Sequence, residues 1–122
     1  MIALNYVVTV NGMADTVTGD DFAQALENQV QAQRHWPGAA VQIEVVPNAR
    51  RVLVEAGVWW PDLEPACRCG GHPVVLAEAP MRGGFAPDFT VACRGCHHVT
   101  VPCRELAEAW GEWFDHVRRQ AA

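Results

Sequence analysis

The chain reads as an α+β protein: a small β-α-β-β domain, then a cysteine-bearing hairpin, then a C-terminal amphipathic helix. Three observations predict this. Leu4, Tyr6, Val8 and Val10 alternate with Asn5, Val7 and Thr9, the period of a half-buried strand. Leu106, Trp110, Trp113, Phe114 and Val117 recur at three- and four-residue spacing, which puts one apolar face on a helix. Between these ends, the close pairs Cys67/Cys69 and Cys93/Cys96 bracket a strand-turn-strand pattern.

Each element has a local cause. Asn11-Gly12 turns the chain after the first strand. Thr18-Gly-Asp-Asp21 resembles a capping box, with Asp where Glu is usual, and opens a helix over about 20–35. Phe22, Leu26 and Val30 form its apolar stripe, and Asn28, Gln29, Gln31 and Gln33 its wet face. Pro37-Gly38 ends it. Strands follow near 40–46 and 51–56, with Pro47-Asn-Ala-Arg50 as the turn between them. The β-α-β-β domain therefore covers residues 1–57. Residues 58–65, with Trp59, Trp60, Pro61 and Pro65, read as a junction in which a tryptophan packs between the halves.

Residues 74–77 and 89–92 are the strands of the hairpin. The loop between them holds two glycines and two prolines, with Met81 and Phe85 as apolar groups suited to a partner-binding tip. Residues 103–122 make the last helix. Glu105 and Glu108 sit near its start and Arg118 and Arg119 near its end, as the macrodipole favours.

The cysteines carry the chemistry. Thiolates are soft ligands, and two close pairs close a tetrahedron around Zn²⁺. Cys67-Arg-Cys69-Gly-Gly-His72 reads as one metal knuckle, and Cys93-Arg-Gly-Cys96-His97-His98 as the other. Residues 66–102 are thus expected to be a zinc ribbon holding a structural ion on Cys67, Cys69, Cys93 and Cys96. A competing set of Cys69, His72, Cys93 and Cys96 restores two-residue spacing on both sides and keeps His72 in reserve. Strand geometry favours the first set, because Pro73-Val-Val-Leu76 starts a strand directly after His72. Cys103 reads as a packed thiol near the helix start. Disulfides fit poorly: five cysteines are an odd number, and the first residues lack the basic start of a signal peptide. The expected setting is cytoplasmic, where thiols stay reduced.

Charge narrows the function classes. The chain of 122 residues has a formal net charge of -5. Its N-terminal half carries the whole deficit: up to position 65, three arginines, Arg34, Arg50 and Arg51, stand against eight acids. That balance argues against a broad phosphate-binding surface. Arg68, Arg82, Arg94 and Arg104 leave a small patch through which nucleic acid could be met. No stretch approaches the length of a membrane span.

From Cys67 to Trp113 the layout resembles phage and prophage restriction-alleviation proteins of the Lar type. The matching pieces are Cys69-Gly70-Gly71, Val91-Ala92-Cys93-Arg-Gly-Cys96 and Leu106-Ala107-Glu108-Ala109-Trp110. The chain departs from that pattern at position 66, where Ala stands in place of a cysteine, and its N-terminal half has no counterpart there. The resemblance implies a protein encoded by a phage or mobile element, acting on host defence or nucleic-acid machinery without chemistry of its own.

Four thiolates would close the zinc shell, whereas a catalytic zinc keeps a position open. G-x-S-x-G, phosphate-loop and H-E-x-x-H patterns do not occur in the sequence. The expectation is a non-enzymatic zinc-ribbon adaptor or inhibitor that works by protein contact. The runners-up are a nucleic-acid-binding ribbon and a structural subunit of a phage particle or other multi-protein assembly.

Overall fold

The alternation of Tyr6, Val8 and Val10 with Asn5, Val7 and Thr9 makes β1 (Leu4–Val10) a strand whose Tyr6 and Val8 are buried on one face. The computed structural model describes residues 4–47, 67–80 and 86–121. Asn11 and Gly12, at φ 51° and 82°, reverse the chain, and β2 (Met13–Val17) returns antiparallel to β1. Asn-Gly suits this two-residue loop because both positions need positive φ. β2 is absent from the sequence reading. Met-Ala-Asp-Thr-Val shows no apolar alternation, and the strand is exposed apart from half-buried Thr16. Its cause is the turn and the hydrogen-bonding edge of β1 rather than a buried face.

The helix α1 spans Phe22–His35. Its cap corrects the expected box: Asp21 Oδ1 accepts the Gln24 N–H at 3.0 Å, while the Thr18 hydroxyl donates to the Tyr6 carbonyl at 3.2 Å. Its buried stripe is Phe22, Ala25 and Ala32, with Leu26 at the margin and Val30 44% exposed. Gln29 also leaves the expected wet face; it is half-buried and its amide donates to the Val41 carbonyl at 3.3 Å.

β3 (Val41–Pro47) pairs antiparallel with β1, and β4 (Pro73–Glu78) and β5 (Asp88–Cys93) form an antiparallel hairpin. β4 joins β3 with Leu76 opposite Glu44. The result is one five-stranded antiparallel sheet in the order β2-β1-β3-β4-β5. The expected strand near 51–56, the end of its preceding turn, the junction at 58–65 and the loop tip with Met81, Arg82 and Phe85 lie outside the described residues. After β5 the chain doubles back, and Phe89 and Cys103 exchange both backbone hydrogen bonds, at 2.7 and 2.9 Å. Then α2 (Leu106–Ala121) begins.

Register decides the layering. Residues opposite one another in antiparallel strands share a face. Tyr6, Ile43, Val45, Val75, Ala77, Phe89 and Val91 therefore lie on one side of the sheet. They form a single core with Phe22, Ala25 and Ala32 of α1 and Ala109, Trp110 and Trp113 of α2. Both helices thus cover the same sheet face, α1 over β1 and β3, α2 over β5. Among the described residues, no helix is long and apolar enough to cross a membrane.

Candidate metal centre

Strand pairing brings the cysteines together. Cys93 is the last residue of β5, and Pro73, the first of β4, lies directly opposite it. The Cys67–His72 segment that precedes β4 therefore ends beside the Cys93–His98 segment that follows β5. The sulfur atoms of Cys67, Cys69, Cys93 and Cys96 all lie within 4.8 Å of one another. Cys69 and Cys93 are 3.4 Å apart, Cys67 and Cys96 3.7 Å. A tetrahedral zinc site with Zn–S of about 2.3 Å has sulfur–sulfur edges of about 3.8 Å. The cluster has the donor type, number and spacing that a divalent ion needs.

The backbone around the cluster is shaped for sulfur. The Gly71 N–H donates to Cys69 Sγ and the Gly95 N–H to Cys93 Sγ, each at 3.3 Å. The two bonds span the same two-residue step, so the knuckles repeat one local geometry. They also press against each other through their glycines. A Cβ on Gly71 would lie 2.6 Å from Gly95 N and 2.7 Å from Cys93 Sγ. A Cβ on Gly95 would lie 2.7 Å from Cys69 Sγ. The chain leaves the first knuckle through Gly70 at φ 89° and the second through His97 at φ 63°. Each knuckle is closed by backbone bonds, Gly70 N–H to Cys67 O at 2.8 Å and His97 N–H to Cys93 O at 3.2 Å.

Burial divides the four sulfurs. Cys67 and Cys93 are buried, while Cys69 and Cys96 are exposed. Burial raises the Cys67 thiol, but hydrogen bonding with the Cys69 backbone, Gln120 and His116 outweighs it and brings the pKa down to about 5. Burial pushes the Cys93 thiol up to about 11. One buried sulfur is thus a ready thiolate, and the other gives up a proton only to a metal or a strong base. All five cysteines are free thiols. Cys103 stands apart, bridged to β5, and burial together with Glu108, Glu112 and Asp88 raises its pKa.

The histidines fall differently. His72 is exposed, stands outside the sulfur cluster, and contributes its carbonyl, which accepts the Arg94 N–H at 3.0 Å. His98 stacks on His116 with ring centroids 3.6 Å apart and planes 6° from parallel. Burial, then the neighbouring His116, lower the pKa of His98. His116 and Gln120 escape a sequence reading because they reach the cluster from α2. Gln120 Nε2 donates to Cys67 Sγ at 3.3 Å, and His116 Nε2 lies 3.9 Å from the same atom. Their four-residue spacing on one helix face is a signal, but it does not say what that face meets.

The arginines are scattered in role. Arg94 is held by Glu44 of β3, Nη2 to Oε1 at 2.5 Å, with the carboxylate side chain 10% exposed. Arg68 and Arg104 are exposed, and Arg82 lies outside the described residues. Comparisons with protein-family models, with curated proteins and with solved structures find no match to this chain.

Proposed function

We propose that this chain holds one structural Zn²⁺ on Cys67, Cys69, Cys93 and Cys96, in a zinc ribbon formed by β4, β5 and their knuckles. In this reading it acts as a non-enzymatic adaptor or inhibitor through protein contact. The observation that carries the metal assignment is the meeting of four sulfurs within 4.8 Å on glycine-backed turns. Four protein ligands would fill a tetrahedral shell, which suits an ion that holds structure rather than one that activates water.

Protein contact is favoured over nucleic acid by three observations. Arg94, one of four arginines available to a basic patch, is engaged by Glu44, and the formal net charge is -5. Meanwhile β2 lies at the sheet edge with Met13 77% and Val17 63% exposed, a surface suited to an added strand. The anti-restriction role implied by the Lar-type pattern remains one target class within this proposal.

Elemental analysis of purified protein should return one zinc per chain. Nucleic acid should bind weakly at physiological salt, without the steep salt dependence that phosphate contacts impose. Absence of stoichiometric metal would remove the zinc assignment. Tight oligonucleotide binding at that salt would replace the protein-contact reading with the nucleic-acid one.

A further inference from the structure

The metal cluster has a third wall, and α2 supplies it. Cys69 and Cys93 receive hydrogen bonds from glycines two residues further along the chain. Cys67 also receives a hydrogen bond from Gln120, 53 positions away, and lies beside Nε2 of His116, 49 positions away. The Gln120 amide is engaged at both ends: Nε2 donates to Cys67 Sγ at 3.3 Å, and Oε1 accepts the Arg68 N–H at 3.0 Å. His116 is fixed by its stack on His98 and by Trp113, whose ring centroid is 5.5 Å away. Trp113 in turn is fully buried in the core.

We propose that Gln120 and His116 are positioning residues for the Cys67 thiolate, and that occupancy of the metal site thereby fastens the C-terminal end of α2 to the first knuckle. This rests on the metal-binding reading above. The electrostatics explain why such donors are needed. Four thiolates around a divalent ion leave a net charge of about −2. The C-terminal end of a helix carries a partial negative charge of about half a unit. Bringing that helix end to the site is unfavourable unless N–H groups are aimed at the sulfur. Gln120 aims one. Arg119 in the same turn adds positive charge, while that of Arg118 is offset by its ion pair with Asp115. Such outer contacts orient a ligand and set its basicity, and their loss weakens metal binding by about 10–100-fold. In return, a thiolate held in place by metal is a fixed acceptor for the helix.

The test uses the full chain and near-isosteric variants. Gln120→Met keeps the side-chain length and removes the amide; His116→Phe keeps a ring for His98 to stack on and removes the ring nitrogens. Zn²⁺ affinity is read by chelator competition, Co²⁺ loading by its thiolate charge-transfer band, and α2 by amide hydrogen exchange. Gln120→Met should bind Zn²⁺ about 10–100-fold more weakly and shift the Co²⁺ band, which lost packing alone would not do. His116→Phe should change both in the same direction by less. In the unsubstituted chain, adding Zn²⁺ should slow exchange over residues 116–121. Unchanged affinity and spectrum in Gln120→Met, or exchange in α2 indifferent to Zn²⁺ that is demonstrably bound, would overturn the inference while sparing the zinc assignment. An unsubstituted chain that takes up no metal would overturn both.

Discussion

Gly71 and Gly95 show how tightly single residues define the centre. Each is close to the other knuckle where a side chain would stand, and the nearest atoms are backbone and sulfur rather than a yielding side-chain tip. Gly71→Ala should therefore force the knuckles apart and weaken Zn²⁺ binding by at least the roughly 10–100-fold typical of lost supporting contacts. Chelator competition measures this, and an unchanged affinity would show that the knuckles do not need to touch. The thiols give a second prediction, on pH. At pH 7 Cys93, with its pKa near 11, holds a proton that metal must displace, whereas Cys67, near 5, has already lost its own. Metal uptake should then release fewer than four protons, and affinity should rise with pH. The rise should be steeper by one proton below about pH 5, where Cys67 is protonated too. Titration in weak buffer with an indicator dye reads the count; four protons at pH 7 would contradict it.

At the level of elements, periodicity was a good guide where a face is buried and a poor one elsewhere. β1, α1, β4, β5 and α2 each carry an apolar repeat, and each stands close to where its repeat places it. β2 carries none, because an exposed edge strand needs only a turn and a partner. The α1 stripe also runs through small residues: Ala25 and Ala32 are buried, while larger Leu26 is partly buried at the margin and Val30 is exposed. In α2, Gly111 is exposed, with open space where a Cβ would stand. Gly111→Ala should stabilise the protein by about 0.4–1 kcal/mol, through the unfolded chain and helix propensity rather than any new contact. Denaturant unfolding measures it, and destabilisation would mean that this helix face is covered in solution.

For the whole molecule, the central fact is a continuous sheet with one core beneath it. β3 and β4 are hydrogen-bonded neighbours, and Glu44 on β3 grips Arg94 in the second knuckle. If the cysteine cluster holds metal as proposed, removing it should therefore be felt beyond the β4–β5 hairpin. Chelation is expected to lower the melting temperature of a single transition followed alike by far-UV circular dichroism and tryptophan fluorescence. Two separated transitions, with only one moved by chelator, would show that the halves fold independently. Residue types and spacing by themselves marked the two close cysteine pairs, the hairpin strands between them and the major helices, because those depend on local backbone chemistry and short-range repeats. Tertiary structure alone decided that β3 and β4 are neighbours, that both helices share one sheet face, that Glu44 neutralises Arg94, and that Gln120 and His116 reach Cys67. Those are contacts between distant segments. Sheet register and core packing set them, and no repeat along the chain records the distance they close.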